Sequence, residues 1–489
     1  MPGEPAAPGE PGVIVQPGVI VRENPARLGE VVGRVPVAGP AQVDRAVRDA
    51  EAAQRAWREV PAEERAEILR KAADAVDAMA GTDVLMARET GKPLTDCAGE
   101  LRFAAAYLRW VAEEAPAALA DRETDDDAGR LVLRRRPYGV VAAITPWNAP
   151  VVLALLKVGP ALAAGNTVVV KPSPLAPLAV TRVLEAFPPG LVRVVHGGAA
   201  TARHLAGHPG VHRVAFTGGS AAGRAIGAAA AEAVTPVLLE LGGNDPVVLL
   251  DDADLTGAAM ERLVMASFAT AGQVCMAAKR LYAPRSRLAE VREAYVAAAG
   301  RVLALGDPLD AGITVGPVIS AEAAERVRAL IADAAGRGGT VTALGAVRAD
   351  MERGHFVRPA LVTDVPDDAP VVAGEQFGPV VPLLAYDDED EVAARANAGD
   401  LGLGASVWSA DEDRAFAFAR RFDAGFTFVN THNRTGMALR APFGGVKRSG
   451  HGREYGVEGL LEYAQTCAVH APAAFRAGGA GMGAGAYPT

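Results

Sequence analysis

Residues 140–171 read VVAAITPWNAPVVLALLKVGPALAAGNTVVVK. Two apolar runs of strand length, 140–144 and 167–171, flank a helix-like segment at 151–164. The pattern continues downstream. Apolar runs at 192–196, 213–216 and 235–240 alternate with helix-like segments at 176–186, 200–206 and 221–232. Strands and helices alternating at these lengths predict a parallel sheet covered on both faces. A second set of strands and helices runs from about 247 to 450, so the fold class is α/β. Upstream, Val43, Ala46, Val47, Ala50 and Trp57 fall at helical spacing, as do Ile68, Leu69, Ala72, Ala73 and Val76. Residues 40–58 and 62–80 therefore read as amphipathic helices.

A chain of 489 residues is too long for one ordinary core, which predicts two or three domains. Half the residues are apolar, enough for a sizeable core. The net charge of −9 gives no footprint for nucleic acid, and the run Arg134–Arg136 reads as a solvated strand end. Cys97, Cys275 and Cys467 are widely spaced, with neither a disulfide framework nor a CxxC pair. That fits a reducing compartment, and cytoplasmic localisation is the expectation. The start MPGEPAAPGEPG lacks the basic and apolar regions of a secretion signal, and no run of about 18 apolar residues predicts a membrane span. Residues 1–20 and 476–489 are Pro/Gly-rich and read as disordered. The segment GRLVLRRRPY (129–138) alternates apolar and basic residues, and LEYAQTCAV (461–469) is a candidate partner strand. Exposed strand edges invite pairing, which predicts a homodimer or homotetramer. His204, His208 and His212 are spaced by four, but Pro209 breaks any helix through them and no carboxylate or Cys completes a site. No metal is expected.

One cysteine stands in ATAGQVCMAAKR (269–280), with no His, Asp or Glu within ten residues of it. If Cys275 is a nucleophile, its base comes from elsewhere in the chain. Oxidising an aldehyde by hydride transfer first requires a tetrahedral adduct, and a thiolate is suited both to form it and to leave later. Six segments carry residue types for such chemistry. They are ITPWNAP (144–150), VVVKPSPLAP (168–177), FTGGSAAG (216–223), LLELGGNDP (238–246) with GQVCMA (272–277), EQFGPVVP (375–382) and PFGGVKRSGHGRE (442–454). In this order and spacing they resemble the aldehyde dehydrogenase superfamily, in its hydrolytic, NAD(P)-dependent, non-acylating form. The resemblance covers roughly residues 22–470.

That resemblance implies a Rossmann-like cofactor domain (1–116 and 138–242), an α/β catalytic domain (243–455) and oligomerisation strands (117–137 and 456–475). It implies Cys275 as the nucleophile and Glu240, 35 positions earlier, as the base that activates water. It makes Asn148 the side-chain donor of an oxyanion hole shared with the Cys275 N–H. Lys171 is matched to the cofactor's ribose hydroxyls, Glu375 to the nicotinamide ribose, and Phe377 to the nicotinamide ring. Trp147 and Ser173 join that cofactor set. FTGGSAAG is not a GxGxxG motif. Gly218, Gly219, Ser220 and Gly223 form a variant strand-to-helix turn for the pyrophosphate. Position 219 is often Ser in relatives and is Gly here. The expected cofactor is NAD, with NADP possible. NAD-preferring relatives often place a Glu three residues after the lysine, where this chain has Pro174.

The substrate tunnel is expected at Ala149, Val152, Leu153 and Leu156, with Val274 and Met276 beside the cysteine. Its other wall is expected at 430–441, where His432 and Arg434 are candidates to bind a polar tail. Small apolar side chains at 149 and 156 favour a medium or bulky apolar aldehyde. Two alternatives stay open. The first is a coenzyme A-acylating enzyme, which would keep Cys275 although Glu240 argues for hydrolysis, or a semialdehyde dehydrogenase with a polar substrate tail. A binding or structural protein on the same fold would lack Cys275, Asn148 or Glu240, and all three are present.

Overall fold

The computed structural model describes residues 14–16 and 18–475. Its first sheet holds the segment quoted above. Val192–Val194, Thr167–Lys171, Val140–Ile144, Arg213–Thr217 and Val237–Glu240 lie side by side and parallel, and Gly450–His451 adds an antiparallel edge. Numbered along the chain the parallel strands run 3-2-1-4-5. The connections therefore reverse direction between Val140–Ile144 and Arg213–Thr217. In open α/β sheets ligands bind at the carboxyl ends of strands at such a switch point.

Alternate side chains explain why these strands read as unbroken apolar runs. Val141, Ala143, Val168 and Val170 pack on one face, against helices Ala62–Asp77, Leu94–Ala118 and Pro150–Ala163. Val140, Ala142, Ile144 and Val169 pack on the other, against Pro40–Trp57, Ala199–Ala206 and Ser220–Glu232. With both faces covered, no polar alternation survives. The run expected at 235–240 begins as a strand at Val237, because Pro236 has no N–H to donate to a ladder.

A second sheet of seven strands has its own core. Its order is Thr340–Ala343, Ala360–Thr363, Val380–Tyr386, Ala278–Pro284, Asp245–Leu249, Gly404–Trp408 and Phe426–Val429. Only Thr340–Ala343 is antiparallel to its neighbour. Gly450 and His451, expected with this second unit, instead hydrogen-bond to Leu239 and Glu240 on the edge of the first sheet. A third, antiparallel ribbon pairs Gly129–Pro137 with Ala464–Pro472 on one side and with Arg122–Asp126 on the other. Residues 456–461, expected in a strand, form the helix Gly456–Leu461.

The disorder expected for residues 1–20 is corrected at its end. Ile14–Gln16 and Val19–Glu23 pair as a hairpin, and Val31–Pro36 extends it to three strands. Residues 1–13 and 476–489 lie outside the described residues. Among the described residues no helix is long and apolar enough to cross a membrane.

Candidate active site

The helix Gly257–Phe268 stops ahead of the cysteine, and the chain then turns through Thr270, Ala271 and Gly272 at φ of 56°, 55° and 68°. Two consecutive non-glycine residues in the left-handed region are costly, and such backbone persists only where its surroundings over-determine it. Gln273 is what holds it. Its Nε2 donates to the Thr270 carbonyl at 3.1 Å, and its Oε1 accepts from the Ile319 N–H at 3.0 Å. Its backbone carbonyl accepts from Asn148 Nδ2 at 3.0 Å. One amide hydrogen of Asn148 is thus engaged two residues before Cys275, and the second remains for another acceptor.

Asn148 comes from the carboxyl end of the first sheet, on the loop that enters helix Pro150–Ala163. The buried Glu100 caps that helix, its Oε1 accepting from the N–H groups of Val151 (2.8 Å) and Val152 (3.1 Å). Its other oxygen pairs with the buried Lys92. The loop 145–149 is therefore held from both ends.

Glu240 ends the Val237–Glu240 strand, buried, with no hydrogen-bond partner for its Oε1 among the described residues. Burial pushes its carboxyl well above the usual carboxylate range; the Glu454 charge adds to this and Lys157 opposes it. Lys157 and Glu454 were not singled out from sequence. They form a buried ion pair at 2.5 Å, and Lys157 also donates to Thr217 Oγ1 at 2.7 Å. The signal was present: a single lysine within the otherwise apolar VVLALLKVGPALA must find a partner if its helix is buried.

Cys275 is half-buried and its thiol pKa is raised well above its ordinary value, first by burial, then by the charges of Glu240, Glu375 and Asp245. Close approach on this side depends on Gly243, where a Cβ would overlap the Cys275 carbonyl oxygen. The Gly243 N–H donates to Glu375 Oε1 at 3.2 Å. Burial moves the Glu375 carboxyl up to about 7, while the Gly243 N–H and Lys279 oppose that rise.

A cavity of about 660 Å³ opens along the carboxyl ends of the first sheet and reaches Cys275. Trp147, Asn148, Lys171, Ser173, Gly218, Gly219, Glu375 and Phe377 all line it. Trp147 and Phe377 meet edge-on at 5.6 Å. Its size suits a dinucleotide, and Gly219 opens the helix Ser220–Glu232, whose free N–H groups suit an anion. Ser220 and Gly223 are not on the cavity wall. Gly223 is a packing position: a side chain there would overlap Leu241. Arg203 and Arg326, which sequence reasoning missed, do line the cavity.

The expected tunnel residues divide. Ala149, Val152, Leu153, Val274 and Met276 are half-buried, and Val152, Leu153 and Met276 pack with Cys275 against one core. Leu156 is fully packed inside that core. His432 is corrected. It has no exposed surface and sits against the Phe428 ring and 3.4 Å from Asp245, so it cannot reach a substrate tail. Arg434 is exposed but ion-paired with Asp96 at 2.7 Å. Among the described residues no group of His, Cys, Asp and Glu is arranged to hold a metal; His204 instead contacts Asp44 at 2.7 Å.

The aldehyde dehydrogenase family profile matches residues 16–469. The chain is 39% identical to a glutarate-semialdehyde dehydrogenase of Pseudomonas aeruginosa, over 91% of this chain and 93% of that one. It is also 39% identical to a geranial dehydrogenase of Castellaniella defragrans, over 90% and 93%. The structure of aldehyde dehydrogenase C from Pseudomonas syringae, solved with NAD+ and octanal, superposes with a TM-score of 0.86 at 35% identity, covering 93% of this chain and 94% of that one. Profile, sequence and structure agree over nearly the whole chain, which belongs to the aldehyde dehydrogenase family.

Proposed function

We propose that this NAD(P)-dependent aldehyde dehydrogenase converts a medium-length or bulky apolar aldehyde to its carboxylic acid. Cys275 is the nucleophile, Asn148 the oxyanion donor and Glu240 the base. The observation that carries the reading is the position of Cys275, on the wall of the dinucleotide-sized cavity and against the apolar core at once. When bound, NAD(P)+ supplies the hydride acceptor. The residues that would hold it are Lys171, Ser173, the 218–219 turn, Glu375 and Phe377.

The protein's own part begins with a proton. The Cys275 thiol must lose it as sulfur attacks the aldehyde carbon, and Glu240 is the buried carboxylate whose charge reaches the thiol. The carbonyl oxygen then gains negative charge, which the second amide hydrogen of Asn148 and the Cys275 N–H stabilise. After oxidation the acyl group is held as a thioester on Sγ. Glu240, having released the thiol proton to solvent, takes a proton from water; hydroxide adds to the thioester carbon, and the C–S bond breaks to release the acid and a thiolate that is reprotonated. A base held above its usual pKa is better matched to accepting a proton near neutrality.

Apolar side chains support the substrate class. Phe103, Val152, Leu153, Met276, Phe426 and Met437 are half-buried against the same core as Cys275. Tyr455, whose hydroxyl feels the charges of Glu240 and Cys275, contacts Phe103 and Phe443, and Phe443 contacts Phe426. The cation expected to grip an anionic tail, Arg434, is neutralised by Asp96. A second reading, an anionic semialdehyde, is favoured by the glutarate-semialdehyde dehydrogenase relative at the same identity as the geranial one. A series from acetaldehyde to decanal, with benzaldehyde and succinic semialdehyde, separates them. Each buried methylene should raise kcat/KM by up to ~0.8 kcal/mol equivalent until the tunnel is full. Best efficiency with acetaldehyde or succinic semialdehyde would refute the apolar reading.

The cofactor preference follows from the lining. Pro174 and Arg203 line the cavity with Lys171, and no carboxylate stands at 174 to repel a 2′-phosphate. NAD should be used with weak discrimination against NADP. A preference above about a thousandfold, roughly 4 kcal/mol, would contradict this.

A further inference from the structure

We infer that Lys279 is a positioning residue that ties the Glu375–Gly378 loop to the turn carrying Cys275, and so fixes where the Glu375 carboxylate stands. The inference rests on the reading of Glu375 as the group that holds the nicotinamide ribose.

Lys279 lies in the Ala278–Pro284 strand, four residues after Cys275, and is fully buried. An ammonium has three donors and is seldom buried without a purpose. Its hydrogen bond goes to the Gly378 carbonyl, at 2.8 Å. The left-handed turn before the cysteine closes on the same point. A Cβ on Gly272 would stand 2.8 Å from Lys279 Nζ and would overlap the Gly378 carbonyl oxygen. Three separate segments thus converge on one ammonium: the cysteine turn, the strand after it and the loop of Glu375. On that loop Phe377 is itself left-handed, at φ 41°, so its path is not one the chain adopts unaided. On the opposite side Glu375 is held by the Gly243 N–H at 3.2 Å. Lys279 holds the loop at Gly378, while Arg326 donates to the Phe377 carbonyl at 3.4 Å and Gln376 Nε2 donates to Asn244 Oδ1 at 3.3 Å.

Charge points the same way. The groups that act on Lys279 are Glu375 and Asp245, both negative when ionised. Burial brings Lys279 down to about 7, with Glu375 and then Asp245 opposing that fall. Glu375 is brought up to about 7, with the Gly243 N–H, Lys279 and Arg326 favouring its ionised form and Asp245 disfavouring it. Each group therefore favours the charged form of the other, and burial opposes both. Removing the ammonium should leave Glu375 protonated to a higher pH. A purely space-filling lysine would have no such effect.

The test is NADH binding to the full-length enzyme, followed by quenching of tryptophan emission across pH 6 to 9. Lys279→Met keeps length and removes charge; Lys279→Gln removes charge but can still donate to Gly378. Lys279→Met should raise Kd about tenfold at pH 7, the scale of one hydrogen bond to a charged group. Its Kd-against-pH inflection should move up by about one unit. Lys279→Gln should show the same upward move with a smaller loss of affinity, and it carries the test if the methionine variant does not fold. Glu375→Gln should weaken binding and leave only an inflection displaced to lower pH, that of Lys279 deprived of the carboxylate that raises it. If Glu375→Gln binds as the parent does, the reading of Glu375 fails and this inference falls with it. If Glu375→Gln is weakened while both Lys279 variants keep the parent's Kd and inflection, the reading of Glu375 stands and Lys279 has no positioning role.

Discussion

Burial raises the pKa of both Cys275 and Glu240, and the charge of Glu240 adds to the rise at Cys275. Cys275→Ala should abolish turnover and leave cofactor binding in place. Asn148→Ala should lose ~10²–10³ in kcat, the usual consequence of removing one oxyanion donor. Full activity in Cys275→Ala would sink the mechanism. Glu240→Gln should give a burst of NADH and then a slow phase in rapid mixing, because hydrolysis needs the base more than acylation does. Equal slowing of both phases would deny it that role. The pH dependence has a definite sign. Glu240 acts as a base only when ionised, so deacylation should rise with pH through its raised pKa. Glu454→Gln removes the charge that disfavours ionisation and leaves Lys157, which favours it. The limb should move to lower pH, and single-turnover deacylation rates from pH 5 to 9 would detect the move. A shift upward would mean that Glu454 is not the charge that matters. Cys275, Glu240 and Asn148, proposed as nucleophile, base and oxyanion donor, were singled out from local motifs. The pair that tunes the base was not, since Lys157 and Glu454 are 297 positions apart and only the fold joins them.

Elements differ in how much of themselves they announce. The first sheet was legible because its strands are buried on both faces and read as apolar runs. The strand Arg122–Asp126, RETDD, is exposed at every position and carries no such pattern; it exists because Gly129–Pro137 offers it an edge. The hairpin at Ile14–Gln16 was hidden by its Pro/Gly-rich neighbours. The left-handed turn at 270–272 was equally silent, since Thr270 and Ala271 are ordinary residues there. It can be probed directly. Gly272→Ala adds left-handed strain and an overlap with the Gly378 carbonyl, and should lower stability by ~2–4 kcal/mol together with activity. Ala271→Gly relieves left-handed strain but adds freedom to the unfolded chain, and the two effects should cancel to within ~0.5 kcal/mol. Thermal unfolding of both variants separates these cases. A Gly272→Ala protein as stable as the parent would show that the turn is not constrained as its contacts imply.

At the scale of the whole molecule, the outlying ribbon is the feature a single chain explains least. Among the described residues Gly129–Pro137 is paired along both edges, but Ala464–Pro472 is paired along one only, over nine residues. Most of that outer strand is exposed, Val469 by 59%. A long free edge presents a row of unpaired N–H and C=O groups, and stable monomers usually blunt such edges with charge, proline or a covering segment. The exposed residues Gln465, Thr466, Ala468, Val469, His470 and Ala471 include neither acid, lysine nor arginine. Association through this edge would account for its length and its composition together. Light scattering at micromolar concentration should return two or four times the 50.3 kDa chain mass. Val469→Lys places a charge on the exposed strand and should shift the distribution toward the monomer while leaving the active-site residues untouched. A parent protein of 50.3 kDa under those conditions would rule the assembly out.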